Sequence, residues 1–282
     1  MNFQYNDRLV AWLFLAPALL LLGVFVFLPI LYLVFLSLTT GHLTRSGVSW
    51  VGLGHYLDLI NDPDLRQVLG NTLYFTLATV IPSVVIPIGL AVGLDQAIPG
   101  RGILRTLYFL PSVISIVAAG LGWRWLFQPQ GFLGEINWLG NPSLAMPVLI
   151  LLSIWKQLGF NMVVFLAGLQ AIPSNRYEAA SLDGAGPWAQ FWHITLPGLR
   201  PTTIFVIIAT TIFTFRSFEQ VFVLTGGGPL NSTNILVYYI YEQAFSFFDF
   251  GYGAALTIVL LIFVMALVYW QWRTWNGATN QN

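Results

Sequence analysis

Residues 177–201 read YEAASLDGAGPWAQFWHITLPGLRP, the longest polar-leaning interruption between apolar runs in the second half of the chain. Pro173 and Ser174 precede it with helix-start chemistry, because proline cannot continue a helix and a serine oxygen can cap the next one. Glu178-Ala179-Ala180 predicts a short helix, which Gly184 and Gly186-Pro187 break. Residues 188–194 can wind a second helical turn or two before Leu196-Pro197 ends the unit. A helix–turn–helix hairpin set between apolar runs is built to grip another protein. What it can grip depends on the side of a membrane it faces.

Composition establishes the membrane. The 282 residues are 57% apolar and 16% aromatic but only 8% charged, with mean hydropathy +0.75. Soluble domains carry roughly a quarter charged residues, so this chain could not cover its own surface in water. It reads as an all-α polytopic membrane protein. Zero net charge leaves no basic patch for nucleic acid. With no cysteine, disulfides and thiolate metal sites are excluded. The first apolar run far exceeds the ~7–15 residues of a signal-peptide core and no small-x-small cleavage site follows, so it reads as a retained membrane helix.

Crossing the hydrocarbon takes about 20 mostly apolar residues. Six runs qualify: 10–38, 71–94, 103–127, 145–169, 202–225 and 252–272, with the hairpin at 171–200 between the fourth and fifth. Pro17, Pro29, Pro82 and Pro87 would bend these helices without forbidding them. The aromatic segment 231–248, which holds Glu242 and Gln243, is expected to be an interfacial helix. With the N-terminus inside, Arg8, Arg101, Arg105, Arg176, Arg200 and Arg273 are cytoplasmic and only Arg45 and Arg66 lie outside. By the positive-inside rule both termini and the hairpin are expected in the cytoplasm.

Arg124, Lys156 and Arg216 fall within the spans. Arg124, between Trp123 and Trp125, is expected to snorkel to the headgroups. Lys156 and Arg216, with Glu219 close by, lie nearer mid-span, where a charge marks a candidate functional position. Ser153, Lys156, Gln157, Phe160 and Asn161 cluster on the fourth span at helical spacing. Thr210, Phe213, Thr214 and Ser217, followed by Gln220, repeat the pattern on the fifth. Two such stripes of hydroxyls, amides and rings suit a polar, uncharged solute. Interhelical packing is the competing explanation for any single Ser or Thr.

Enzyme readings fail for want of parts. His42, His55 and His193 all sit in loops, and none is paired at metal-ligand spacing. TGGGP at 225–229 lacks the lysine of a phosphate-cradling loop and reads as a flexible turn, so any ATP is hydrolysed on another polypeptide. An ion-coupled carrier acting without an ATPase is the alternative. It is disfavoured by the lack of an internal repeat and by Glu219 being the one acidic residue within a span.

At this point the hairpin carries a signature. Glu178-Ala179-Ala180, three residues, Gly184, nine residues, then Ile194-x-Leu196-Pro197 resembles the complete EAA motif of binding-protein-dependent ABC importer permeases. LAGLQAIP at 166–173, LDGAGP at 182–187, LTGGGP at 224–229, Asn71-Thr72 and Leu110-Pro111-Ser112 resemble the carbohydrate-uptake branch, similar to the maltose and glycerol-3-phosphate permeases. The resemblance spans essentially the whole chain, with a shared core at about 67–273. It implies the type I importer permease fold in a prokaryotic inner membrane, and ATP-driven import of a sugar or related polar solute (oligosaccharide, glycoside, polyol or glycerophosphate-like). The implied partners are a second homologous permease, two ATPase subunits, an extracytoplasmic solute-binding protein and the lipid bilayer. ATP and Mg would sit on the ATPase, with no cofactor on this chain. Carried over, Glu178, Ala179, Ala180, Asp183, Gly184, Ile194, Leu196 and Pro197 form the ATPase-coupling surface. Ser153, Lys156, Gln157, Phe160, Thr210, Phe213, Thr214 and Ser217 of the two stripes match the solute positions of maltose-type relatives.

Overall fold

A computed structural model describes residues 4–41, 49–96, 98–133 and 135–279, with side chains from 10 to 273. His42 and Arg45 lie outside the described residues. The described chain is helical, with one isolated bridge between Thr39 and Trp50. It forms two compact units, Met1–Asp62 with Ile240–Phe263, and Pro63–Tyr239 with Val264–Asn282.

In the first unit, α1 (Gln4–Leu22) passes through a π-helical turn (Gly23–Phe27) into α2 (Leu28–Ser37). Pro29 lacks the N–H that an α-helix would direct to Phe25, and the wider turn absorbs the defect as Leu28 N–H reaches back to Gly23 O. α3 (Gly54–Asn61) follows, with buried His55 hydrogen-bonded through Nε2 to Thr39 O at 2.9 Å.

The second unit opens with α4 (Pro63–Asp95), α5 (Arg101–Val113), α6 (Ile116–Phe127) and α7 (Pro142–Gln170). Asn141 Oδ1 accepts the Ser143 N–H at 2.9 Å and Pro142 stands at the first helical position, so α7 begins with a side-chain cap and a preset φ. The hairpin comprises α8 (Ser174–Leu182), α9 (Pro187–Gln190), a π turn (Phe191–Thr195) and α10 (Leu196–Gly198). α11 (Arg200–Phe215), α12 (Glu219–Leu224) and α13 (Leu236–Tyr241) come next; the π turn (Glu242–Ser246) that follows and α14 (Phe250–Thr279) as far as Phe263 belong to the first unit. Val84, Ile88 and Ala91 of α4 interlock with Met162, Phe165, Leu166 and Leu169 of α7, and Leu199 and Val206 close the cluster. Spacings of three and four residues put each set on one helix face.

Among the described residues, four helices are long and apolar enough to cross a bilayer: Val10–Ser37, Pro63–Asp95, Pro142–Gln170 and Phe250–Arg273. Two bent pairs bring the total to six if each counts as one crossing. The expected run 103–127 is two helices rather than one. α5 and α6 meet at 97° across extended Ile114 and non-helical Ser115 (φ −56, ψ 135), and Pro111 removes one of the last N–H donors of α5. The expected run 202–225 is likewise divided, because Phe218 leaves helical space (φ −130, ψ −55) between α11 and α12.

The TGGGP turn is not a loose one. Gly226 and Gly227 take positive φ, and Thr233 Oγ1 lies 2.7 Å from Gly228 O. From α4, Gln67 donates to Leu230 O (3.1 Å) and Asn71 to Asn231 O (2.7 Å) and Asn234 O (3.0 Å). The segment 231–248 is a short helix and a π turn rather than one continuous helix, with Leu236, Tyr238 and Tyr239 buried.

Candidate solute cavity and coupling hairpin

The hairpin is held by its own backbone chemistry. Pro173 occupies the capping position of α8 and Ser174 falls inside the helix, so the expected serine cap is absent. α8 closes on Gly184 at φ +82, where Ala185 N–H bonds Ala180 O (2.8 Å) and Gly184 N–H bonds Ser181 O (3.1 Å). This double closure places a left-handed residue just past the cap, where glycine carries no Cβ penalty. Asp183 caps α8 through its backbone, donating to Ala179 O. Across the turn, Gln190 Nε2 donates to Ser181 Oγ (2.9 Å) and Ala185 O (3.0 Å), and Tyr177 Oη pairs with Thr195 Oγ1 (3.0 Å).

Glu178, Ala179, Asp183, Gly184 and Pro197 are exposed, while Ala180, Ile194 and Leu196 are half-buried. Leu182 is 90% and Trp188 74% exposed at the hairpin's tip. At its base Gly198 admits Ile172: a Cβ there would stand 2.7 Å from Ile172 Cδ1.

α7 and α11, which flank the hairpin, run to a cavity of about 610 Å³. Of the ten stripe residues, Lys156, Gln157, Phe160, Asn161, Thr210, Phe213, Ser217 and Gln220 line it. Ser153 and Thr214 do not. Ser153 is fully buried, donating to Leu149 O (2.7 Å) and accepting from Gln220 Nε2 (3.0 Å). Thr214 back-bonds to Thr211 O (2.8 Å), the usual retreat of a hydroxyl on a membrane helix. Asn161 is also engaged, donating to Ser83 O (2.8 Å) and Thr210 Oγ1 (3.3 Å).

Ser112 and Ile116 at the α5–α6 elbow, Ala209 and Ile212 on α11, and Arg216 and Glu219 complete the wall beyond the predicted set. The signals for Ser112, Arg216 and Glu219 were the in-span charges and Leu110-Pro111-Ser112, but only the helix breaks turn them inward. Gln157 is buried with Nε2 unpartnered. Among the described residues, no side-chain hydrogen bond or ion pair engages Arg216 or Glu219.

Lys156 lines the cavity, yet its ammonium points into the elbow. Nζ donates to Pro111 O (2.7 Å), Ser112 O (3.3 Å) and Ile114 O, and Ser112 Oγ returns a bond to Lys156 O (3.2 Å). Arg124, expected at the headgroups, donates to Val223 O (3.2 Å) near the end of α12. No group of His, Asp and Glu among the described residues is arranged to hold a metal ion.

Residues 85–274 match the family described as the binding-protein-dependent transport system inner membrane component. The chain belongs to this family. The permease is 36% identical to the arabinooligosaccharides transport system permease protein AraP of Bacillus subtilis (strain 168), over 93% of this chain and 87% of AraP. It is 31% identical to the sn-glycerol-3-phosphate transport system permease protein UgpA of Agrobacterium fabrum (strain C58 / ATCC 33970), over 95% of each. Its fold is similar to a chain of a bacterial alginate ABC transporter solved with an alginate pentasaccharide-bound periplasmic protein (TM-score 0.83, 23% identity, 96% of each chain). The permease thus has the ABC importer permease fold and is a transport subunit; in this family the ATPase is a separate subunit.

Proposed function

We propose that the permease passes a neutral, polyhydroxylated solute (a sugar, oligosaccharide, glycoside or polyol) delivered by an extracytoplasmic binding protein. The observation that carries this reading is the set of cavity groups without a partner among the described residues: Nε2 of Gln157, the guanidinium of Arg216 and the carboxylate of Glu219. Sugar hydroxyls donate and accept together, so they match a carboxylate acceptor beside two N–H donors. The rings of Phe160 and Phe213 supply faces for the apolar side of a pyranose. The opposite charges of Arg216 and Glu219 offset one another, which favours a neutral solute over a phosphate that Glu219 would repel. The volume lies within the roughly 300–1,000 Å³ of small-ligand sites. The likeness to AraP supports the same class.

The assembly follows from what this chain lacks. A second homologous permease completes the translocation path, and two ATPase subunits carry ATP and Mg. The hairpin seats on the ATPase through Glu178, Ala179, Ala180, Asp183, Gly184, Ile194, Leu196 and Pro197, with exposed Leu182 and Trp188 covered there. The membrane is a prokaryotic inner membrane, with both termini cytoplasmic.

Reconstitution with the partner permease, ATPase and binding protein tests the reading. ATP-dependent uptake of a neutral oligosaccharide is expected. Gln157→Leu should lower it about tenfold, equivalent to about 1.4 kcal/mol, without lowering the melting temperature, since the change deletes a buried unpaired donor. Preference for anionic solutes would overturn the substrate class. Uptake driven by an ion gradient without the ATPase would overturn the whole assignment.

A further inference from the structure

The α5–α6 elbow falls in a stretch that the hydropathy pattern assigns to the bilayer, where a broken helix has no water to satisfy its carbonyls. α5 ends at Val113, so the carbonyls of Pro111 and Ser112 lose the N–H groups that a continuing helix would bring. Ile114 O stands in the extended joint itself. That makes three orphan acceptors. A lysine ammonium has three N–H donors and no acceptor, and Nζ of Lys156 directs bonds to these three carbonyls. The positive charge also sits at the C-terminal end of α5, where the helix dipole is negative.

The fit is mutual. Ser112 Oγ donates back to Lys156 O, and one turn further along α7 the bare Cα of Gly159 lets α5 approach so closely that a Cβ would lie 2.0 Å from Tyr108 O. Lysine and glycine on adjacent turns of α7 therefore face the last turn of α5.

We propose that Lys156 is a positioning residue of the translocation site, stitching the α5–α6 elbow to α7 and offering no N–H to the solute. Ser112 and Ile116, held by the elbow, form part of the cavity wall, and α7 leads into the hairpin. Movement delivered to α7 is thus transmitted to that wall through the ammonium, beside the Ser112 bond and the close approach at Gly159. The consequence for transport rests on the cavity being the solute site; the stitch itself rests on its bonds.

The chain has no cysteine, so spin labels can be placed on the exposed faces of α5 and α6 by Leu104→Cys with Leu121→Cys. Pulsed electron–electron resonance on the assembled transporter then reads the elbow directly. The parent should give one narrow distance. Lys156→Met should lengthen or broaden it, and lower the saturated uptake rate about tenfold with half-saturation changed less than about twofold and the order of solute preference kept. Should the Met variant fail to assemble, Lys156→Arg keeps the charge but presents a planar fork to a three-carbonyl nest, and a smaller broadening with the same solute preference is expected. An unchanged distance in either variant overturns the proposal, as does an altered solute preference, which would make Lys156 a ligand. If the elbow opens but no neutral sugar is carried, the stitch stands and the proposed solute class falls.

Discussion

Gly184 has no atom of another residue near enough to crowd a Cβ, yet it sits at φ +82. Its requirement is therefore set by backbone conformation and not by space. Left-handed backbone costs an L-residue roughly 1–2 kcal/mol, less for Asn. Binding-protein-stimulated ATPase activity of the assembled transporter should fall in the order Gly, Asn, Ala, Val at position 184. A Val variant as active as the parent would show that the turn is not held in this geometry during coupling. The need for glycine there was legible in the sequence as a breaker between two short helices. The cavity side chains were legible less completely. Helical spacing brought Gln157, Phe160, Thr210 and Phe213 to one cavity, because residues three and four apart share a face. It could not say that Ser153 and Thr214 turn back onto their own helices, since a short hydroxyl reaches a carbonyl one turn earlier wherever its stripe points. Arg216 and Glu219 were visible only as charges, because their direction depends on the break at Phe218.

Helix ends, not helix faces, distinguish the elements of this fold. Arg105 donates to Leu94 O at the end of α4 (2.7 Å), Lys156 serves the end of α5 and Arg124 the end of α12. With so few charges available, these cations sit where backbone carbonyls and the helix dipole both favour them. Prolines alone did not reveal the breaks: Pro82 and Pro87 lie within continuous α4, whereas Pro111 adjoins a 97° bend. A proline removes one donor in every case; whether the helix then breaks depends on what can serve the freed carbonyls, and Lys156 is remote in sequence. The segment after α12 follows the same logic. Buried Thr72 of α4 accepts the Leu236 N–H at 2.9 Å where α13 begins. Thr72→Val keeps the shape and removes the acceptor, leaving a buried N–H at a cost of about 1–3 kcal/mol. Amide exchange at Leu236 should accelerate about tenfold or more while the amides of α7 stay protected. Equal protection in the variant would mean that Gln67 and Asn71 suffice to hold the segment.

At the scale of the molecule, the surface itself is apolar. The most hydrophobic window of Val10–Ser37 has no buried residue, an arrangement stable in lipid and untenable in water. Composition made the membrane legible because it integrates over every residue, and it is insensitive to where helices bend. Orientation is a separate matter, since a helical bundle fits a bilayer either way up and only the distribution of Lys and Arg chooses. By that rule we propose a cytoplasmic hairpin, and with it the route by which an ATPase could act. The cysteine-free chain permits a direct test. Asp183→Cys marks the exposed hairpin turn, while Phe132→Cys and Leu230→Cys replace residues that are 79% and 84% exposed between spans assigned to the other side. In intact cells stripped of any outer membrane, an impermeant maleimide should label positions 132 and 230 but not 183, and permeabilisation should expose 183 as well. Labelling of 183 alone in intact cells would invert the bundle. It would put Glu178 and Gly184 beyond reach of any cytoplasmic ATPase, so the coupling role proposed for the hairpin would fall with the orientation that supports it.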